Sequence, residues 1–407
     1  MSTRRRRNTK SLYSRISASI KSFFGLSSPN QTVTSTVRKP RVRRNNMIVN
    51  EASTPVPNTV DFRPKNFDQI VGQDTVKEYL KIKILAFQKN HNAIGHCLFL
   101  GFSGSGKTTM ANVMANEMQV GFHSVMATRI KTWNDFYQIL KNVCENDVIF
   151  IDEIHALAPK IQEQLYGVME DFVCTLEDKN LQKQIQVRVP KFTLIGATTH
   201  SGELNPPLLS RFQYKGQLLP YSVSQLTEMV ITAGERIYGV NVPVEVAERI
   251  AKLSRNTART CYNLLRSYMD VVEATTKNRI SSSMLTMDLL YKTLKLEQID
   301  PILGLDIASR KYLVTMLRES APLGCRSLAN MINEQESTLT DMIEPFLTSE
   351  INLEFRDSEG KTKCMTGPLS KVTKKGRVAT QSAYTYLKLC KQLQNNQGWF
   401  HNESLVV

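Results

Sequence analysis

The chain has 407 residues and a mass of 46.2 kDa, enough for two or three domains that each bury a core. With 41% hydrophobic and 22% charged residues, 19 Gly and 15 Pro, it has the composition of a globular protein. That excludes a collagen-like, a wholly disordered or a disulfide-scaffold chain. No apolar run reaches the roughly 18–20 residues that a membrane-spanning helix needs. The seven cysteines (Cys97, Cys144, Cys174, Cys261, Cys325, Cys364 and Cys390) are scattered without a CxxC pair. Such a set reads as reduced thiols and not as a zinc site or disulfide framework.

The net charge of +15 sits at one end. Residues 1–50 hold 12 Lys and Arg and no acid, so the remaining 357 residues carry 40 basic against 37 acidic side chains. The tail opens with Arg4–Arg7 and ends with the basic run 38–44, and between them Leu12, Ile16, Ile20 and Phe23/Phe24 recur at helical spacing. Three readings compete: a flexible arm held to phosphate or RNA by charge, an organelle transit peptide, or a solvated tail without a specific role. The Pro/Asn/Thr stretch Thr54–Thr59 reads as a linker into the folded body.

Beyond Asp61, short apolar runs at His96–Leu100, Phe122–Ala127, Val148–Asp152 and Phe192–Thr198 alternate with helical patterns at Lys107–Met118, Trp133–Glu145 and Lys160–Asp171. This alternation predicts an α/β domain with a parallel sheet covered by helices. From Ser222 to Leu294 only helical periodicity remains, over Gln225–Ile237, Val244–Leu253 and Thr260–Glu273, as in a small helical domain. After Ile299 come three short helical patterns and then alternating segments rich in Lys, Gly and Thr, a small α+β module.

The strongest chemical signal is Gly101-Phe-Ser-Gly104-Ser-Gly106-Lys107-Thr108, a full GxxxxGK[ST] between a strand and a helix. Glycines let successive N–H groups turn in around phosphates, and the helix N-terminus adds partial positive charge. Lys107 is expected on the β- and γ-phosphates and Thr108 on Mg²⁺, which makes ATP with Mg²⁺ the implied cofactor. The apolar strand Val148–Asp152 ends in Asp152-Glu153, a Mg²⁺ ligand through water followed by a general base for the attacking water. A third buried strand ends at Thr198-Thr199, where Thr199, or Thr198, would sense the γ-phosphate; β-branched residues completing a strand are the plainer reading. Arg211, in Leu208-Leu209-Ser210-Arg211-Phe212, is either an arginine reaching a neighbouring subunit's nucleotide or a surface ion pair.

In this order the motifs resemble those of AAA+ ATPases, and more closely the RuvB family of Holliday-junction branch-migration motors, from about Asp61 to Tyr386. The likeness rests on Arg63-Pro64-Lys65, Val71-Gly72-Gln73, residues 104–112, 150–155, Met169-Glu170-Asp171, 192–199, Glu344-Pro345-Phe346-Leu347 and Gly376-Arg377-Val-Ala-Thr380. It implies an ATPase domain over 61–220, a helical lid over 221–298 and a winged helix over 299–390, between a basic extension (1–60) and a tail (391–407). Phe62 and Arg63 would line the adenine pocket, with Thr109 beside the phosphates and Tyr221 on the nucleotide side. Arg211 would be the arginine finger, Thr199 sensor 1 and Arg259 the second sensor. Lys374, Lys375 and Arg377 would contact DNA.

The resemblance further implies a homo-hexameric ring on duplex or four-way junction DNA, in the cytoplasm, or in an organelle matrix if the tail is a transit peptide. A RuvA-like junction-binding protein would dock on the hairpin at 172–189, whose sequence differs from the family's. Other departures are Asn256-Thr257-Ala258-Arg259 for Gly-Thr-Pro-Arg, Glu336 where the family has a basic residue, and a Lys-rich wing lengthened between about Phe355 and Lys375. Two other functions compete: a clamp-loader-like or other recombination-associated AAA+ ATPase, and a non-catalytic DNA-binding or packaging protein whose nucleotide only regulates assembly. An all-helical C-terminus would mark the clamp loader; strands and a wing mark the RuvB type.

Overall fold

Alternate residues of the candidate strands turn to opposite faces of one sheet. A computed structural model of the chain describes residues 61–90, 93–178, 183–276, 280–319, 321–356 and 361–397. The expected amphipathic helix of the basic tail and the linker Thr54–Thr59 lie outside the described residues. Five parallel strands, β1 (Cys97–Leu100), β2 (Phe122–Met126), β3 (Val148–Asp152), β6 (Thr193–Thr198) and β7 (Tyr214–Gln217), pair in the order β2-β3-β6-β1-β7. The antiparallel hairpin β4 (Val173–Asp178) and β5 (Lys183–Arg188) stands apart from that sheet.

Side-chain alternation divides the core in two. Cys97, Phe99, Val148, Phe150, Ile195 and Ala197 face α1 (Asp74–Asn90) and α2 (Lys107–Met118). Leu98, Ile149, Ile151 and Leu194 face α3 (Trp133–Leu140), α4 (Pro159–Asp171) and α5 (Pro206–Arg211). Both faces are covered, which is why these strands read as continuous apolar runs. The helix expected over Trp133–Glu145 stops at Leu140, where the chain turns into β3.

The helical lid comprises α6 (Val223–Ala233) extended by a π-helical turn Gly234–Tyr238, α7 (Val244–Leu253), α8 (Ala258–Thr275) and α9 (Met287–Leu296). Its apolar core runs without a break into the C-terminal module: Leu253, Leu264 and Leu305 belong to one buried cluster with Tyr312, Leu328, Leu347 and Tyr386. Polar contacts seal the junction. Arg255 pairs with Asp306 at 3.1 Å, and the buried Arg310 donates to the Leu305 and Gln298 carbonyls. At Gly304, with φ of +71°, a Cβ would sit 2.1 Å from the Leu253 carbonyl oxygen, so the approach admits only glycine.

The C-terminal module holds α10 (Ile307–Arg318), α11 (Cys325–Ile332), α12 (Glu336–Thr338), a π-helical turn Leu339–Ile343 and α13 (Glu344–Leu347). Two hairpins follow, β8 (Asn352–Arg356) with β9 (Thr362–Thr366), and β10 (Ser370–Thr373) with β11 (Gly376–Ala379). Arg377 of β11 also pairs with Leu323 ahead of α11, the small sheet of a winged helix. Two expectations are corrected here. The Lys-rich enlargement does not lengthen the wing; it folds mostly into a separate hairpin, β8–β9, anchored by buried Met365 and half-buried Leu353 and Phe355. The last helix, α14 (Gln381–Gln397), crosses the boundary drawn at residue 390, because Tyr386, Leu387 and Cys390 are one apolar face packed into the core.

Candidate nucleotide site

The sheet order decides which loops meet. Because β6 lies between β1 and β3, the ends of these three strands bring the phosphate loop, Thr199 and Asp152-Glu153 together, where ligands of open parallel sheets bind. In the loop Gly101, Gly104 and Gly106 have φ of +152°, +80° and +98°. Gly106 is the N-cap of α2, so Lys107, Thr108 and Thr109 form its first turn and its free N–H groups face the loop.

Lys107 is buried, and its ammonium donates to the carbonyl oxygens of Gly101 and Phe102 at 2.8 and 3.2 Å. Burial lowers its pKa from the ordinary lysine value, against the opposing pull of Glu153 and Asp152. Asp152 is shifted the other way: burial and then the neighbouring Glu153 charge raise its carboxyl above the usual range. Two crowded carboxylates and an under-solvated ammonium call for ligands that restore charge balance. The Ser105 hydroxyl is buried without a hydrogen-bond partner inside the same loop. These groups fit a polyphosphate with a hard divalent cation: loop N–H groups and Lys107 for the phosphates, Thr108 and Asp152 for the ion.

Glu153 adopts φ of +50° and ψ of +49°, the left-handed region that is unfavourable by about 1–2 kcal/mol for a residue with a Cβ. Its Oε2 accepts from the Thr199 hydroxyl at 3.3 Å and the Thr199 N–H at 3.4 Å, and lies 3.3 Å from His155 Nδ1. Thr198 is instead fully buried, its hydroxyl 2.8 Å from His155 Nδ1. Of the two threonines, Thr199 is therefore the one that meets the carboxylate.

The lid touches the phosphate loop directly. Tyr221 donates its hydroxyl to the Ser105 carbonyl at 3.1 Å, and Arg259 donates to the Ser103 hydroxyl at 2.9 Å. A Cβ on Gly104 would lie 3.0 Å from Arg259 Cβ, and one on Gly106 would lie 3.1 Å from the Tyr221 hydroxyl. Asn256, in the family's glycine position, has φ of +57°, a conformation asparagine tolerates better than most residues. Ala258 occupies the first helical position of α8, where the family's proline is also at home.

The Phe62 ring is buried in the lid, 5.1 Å from Tyr262 and 5.0 Å beneath Arg266, so it pins the 61–70 segment to the lid. Arg63 is exposed. Arg211 ends α5, and its guanidinium donates to Glu170 at 3.1 Å and to the Pro207 carbonyl at 2.8 Å, 4.3 Å over the Tyr166 ring. Its Nε is buried without a partner. With Glu170, Lys191 and Ser210 it lines a cleft of about 560 Å³. Among the described residues none of its hydrogen-bond partners belongs to the phosphate loop.

At the wing, Lys374 and Lys375 are exposed at the β10–β11 turn. Arg377 is not: it donates Nε and Nη2 to the two carboxylate oxygens of buried Glu344, at 2.6 and 3.2 Å. Arg377, expected to contact DNA, is thus held in a pair inside the winged helix. Sequence patterns take in Ser103 and Glu344 only as parts of motifs and miss His200; nothing in its local surroundings separates that residue from surface polar ones.

Family comparison agrees with this geometry. A model of the Holliday junction DNA helicase RuvB P-loop domain matches residues 62–218, and one of the RuvB C-terminal winged helix domain matches residues 302–362. Among the structures similar to this chain is that of the Thermotoga maritima RuvB Holliday junction branch migration motor, with a TM-score of 0.66 and 32% identity over 80% of this chain and 98% of that one. A point variant of the same protein gives a TM-score of 0.67 at 33% identity with the same coverage. The Holliday junction branch migration complex subunit RuvB of Myxococcus xanthus is 36% identical over 331 residues, 80% of this chain and 90% of that protein. Matched in its nucleotide domain, in its winged helix and along nearly the whole length of its relatives, the chain belongs to the RuvB family.

Proposed function

We propose that this chain is an ATP-hydrolysing DNA motor that drives branch migration of Holliday junctions, moving duplex DNA through a ring of six identical subunits. The observation that carries the reading is the unbroken apolar core shared by the lid and the winged helix. Tyr221 and Arg259 rest on the phosphate loop, so a change there tilts the lid, and the winged helix moves with it as one body. The two C-terminal hairpins, over 352–366 and 370–379, are not the all-helical collar that would mark a clamp loader.

In the chemistry, Lys107 and the loop N–H groups hold the phosphates. Thr108 and Asp152 would hold Mg²⁺, which when bound would supply positive charge to the transferred phosphoryl group. Glu153 orients the attacking water and accepts its proton, and Thr199, hydrogen-bonded to that carboxylate here, senses the γ-phosphate. Arg259 leaves Ser103 for the phosphates from above. Arg211, unsatisfied at Nε, supplies positive charge to the site of the adjoining subunit, which makes turnover depend on assembly. Lys374 and Lys375 contact DNA phosphates, giving sequence-tolerant, salt-sensitive binding. A RuvA-like partner docks on the β4–β5 hairpin, where Ile185 is 44% exposed opposite Leu176.

The deciding experiment is steady-state ATP hydrolysis with and without circular duplex DNA, beside the Lys374→Ala/Lys375→Ala variant, followed by branch migration of a synthetic four-way junction. Stimulation by DNA that the double variant loses supports the motor. Hydrolysis indifferent to DNA sinks it.

A further inference from the structure

His200 directly follows Thr199, and the nucleotide chemistry above has no use for it. Its backbone N–H donates to the Thr198 hydroxyl at 2.9 Å, its Nδ1 lies 2.8 Å from Thr199 Oγ1, and its Nε2 lies 3.6 Å from Asp341 Oδ1. Thr199 has a single hydroxyl proton, directed at Glu153 Oε2, so on its other side the oxygen accepts from the His200 Nδ1–H. One imidazole thus lies between a hydroxyl that holds the catalytic carboxylate and a carboxylate of the winged-helix domain. His155 packs edge-on against that ring at 5.1 Å and steadies it from the side.

Asp341 lies in the π-helical turn Leu339–Ile343, an irregularity of a kind that recurs at functional positions. Three residues on is Glu344, whose pair with Arg377 ties this turn to wing strand β11. A wing displaced by its ligand therefore carries Asp341 with it. The winged helix thus meets the nucleotide domain by a route separate from the lid: Glu153, Thr199, His200, Asp341, Glu344, Arg377.

We propose that His200 is a positioning residue through which the winged-helix domain sets the hydrogen bonding of Thr199 and Glu153, and so reports DNA engagement to the hydrolytic centre. The inference rests on the DNA-motor reading. With Asp341 in contact, Glu153 Oε2 is engaged by the Thr199 hydroxyl and N–H and lies beside His155, so the carboxylate is turned to protein groups and away from an attacking water. Withdrawal of Asp341 frees the imidazole, lets the Thr199 hydroxyl turn to the γ-phosphate and releases Glu153 to the water. The contact shown is the restrained state, and DNA binding relieves it.

The test is ATP turnover by the full chain, with and without circular duplex DNA, in Asp341→Asn, Asp341→Glu, His200→Gln and the Asp341→Asn/His200→Gln double variant. Asp341→Asn is expected to raise DNA-independent kcat about five-fold, the low end of usual coupling between sites, with KM for ATP unchanged. The ratio of stimulated to unstimulated turnover falls by the same factor. Asp341→Glu retains the parent ratio, and adding His200→Gln to Asp341→Asn changes nothing further, because both remove one link. A gain in unstimulated rate is not what a damaged fold produces, and thermal unfolding midpoints check that separately. Unchanged turnover in Asp341→Asn, or effects of the two substitutions that simply multiply, overturns the relay while the motor stands. Absence of DNA stimulation in the unaltered chain overturns the motor reading and the relay with it.

Discussion

Arg377 of wing strand β11 and Glu344 of α13 form a two-pronged ion pair, at 2.6 and 3.2 Å, that also receives the Tyr312 hydroxyl at 3.1 Å. Both side chains are largely shielded, 13% and 10% exposed, so the pair is a pin between the wing and the helices beneath it. The Glu344 hydrogen bonds push the already high Arg377 pKa higher still. Residues that carry charge in a DNA-binding module thus divide by burial: Arg377 holds the wing in place, whereas Lys374 and Lys375 face solvent.

That division predicts opposite phenotypes. Arg377→Ala strands a buried carboxylate and is expected to lower unfolding stability by about 3 kcal/mol, read from a urea midpoint. Arg377→Met with Glu344→Gln recovers much of the deficit, since no charge is left unpaired. Lys374→Ala/Lys375→Ala leaves the midpoint unchanged but flattens the dependence of DNA affinity on salt, by about 0.9 in log–log slope for each phosphate no longer neutralised. Equal destabilisation by the lysine pair would refute the assignment.

At the nucleotide site, Lys107→Ala is expected to abolish ATP binding, because the ammonium it removes is buried inside the phosphate loop. Glu153→Gln keeps the shape and the Thr199 contact yet cannot take the proton. It should bind ATP with near-parent affinity and turn over about 10²–10⁴-fold more slowly. Filter binding of labelled ATP beside steady-state turnover separates the two, and a Glu153→Gln chain of parent activity would remove Glu153 from the mechanism.

Much of this architecture is legible in the sequence wherever a local pattern has one cause. The apolar runs that became β1, β3 and β6 are buried on both faces, and the GxxxxGK[ST] loop needs its flanking strand and helix. The bounds of α2 and α7 follow from helical periodicity alone. What is hidden is set by distant partners. Nothing around Arg377 announces that a glutamate 33 positions earlier claims it. Equally, His200 gains meaning only because the fold brings Asp341 to it. The β8–β9 hairpin escapes for a different reason: Leu353, Phe355 and Met365 supply too few apolar positions to distinguish a separate hairpin from a longer wing.

Arg211 should act across a subunit boundary. Its partners, Glu170 and Pro207, leave Nε unsatisfied, and the phosphate loop of its own subunit offers it no bond. Arg211→Ala is expected to fold normally and bind ATP while losing about 10³-fold or more in turnover. Mixed with an equal amount of Lys107→Ala, itself inactive, it should regain activity, since the intact Arg211 of one chain then serves the intact Lys107 of the other. Mixtures as inert as their components would place Arg211 outside the mechanism.

His96 makes the stability of the nucleotide domain depend on pH. Its ring is buried, with Nδ1 accepting from the Leu194 N–H at 2.9 Å and Nε2 2.8 Å from the Met169 carbonyl, so neutral imidazole satisfies both partners. Burial lowers its pKa from the ordinary value of 6.5, outweighing the opposing pull of the Met169 carbonyl. A group whose pKa falls on folding stabilises the fold above its unfolded value, and that contribution disappears as pH drops toward the folded one. His96→Gln keeps a donor and an acceptor but does not titrate. The parent should exceed it in stability at pH 7.5, and below pH 6.5 the gap should narrow by up to about 1.4 kcal/mol per pH unit. Urea midpoints of both chains from pH 5 to 8 give the comparison. A gap that stays constant on acidification would mean that folding leaves the His96 pKa unshifted, and a gap that widens would mean that the folded protein takes up the proton, at the expense of the Leu194 N–H contact.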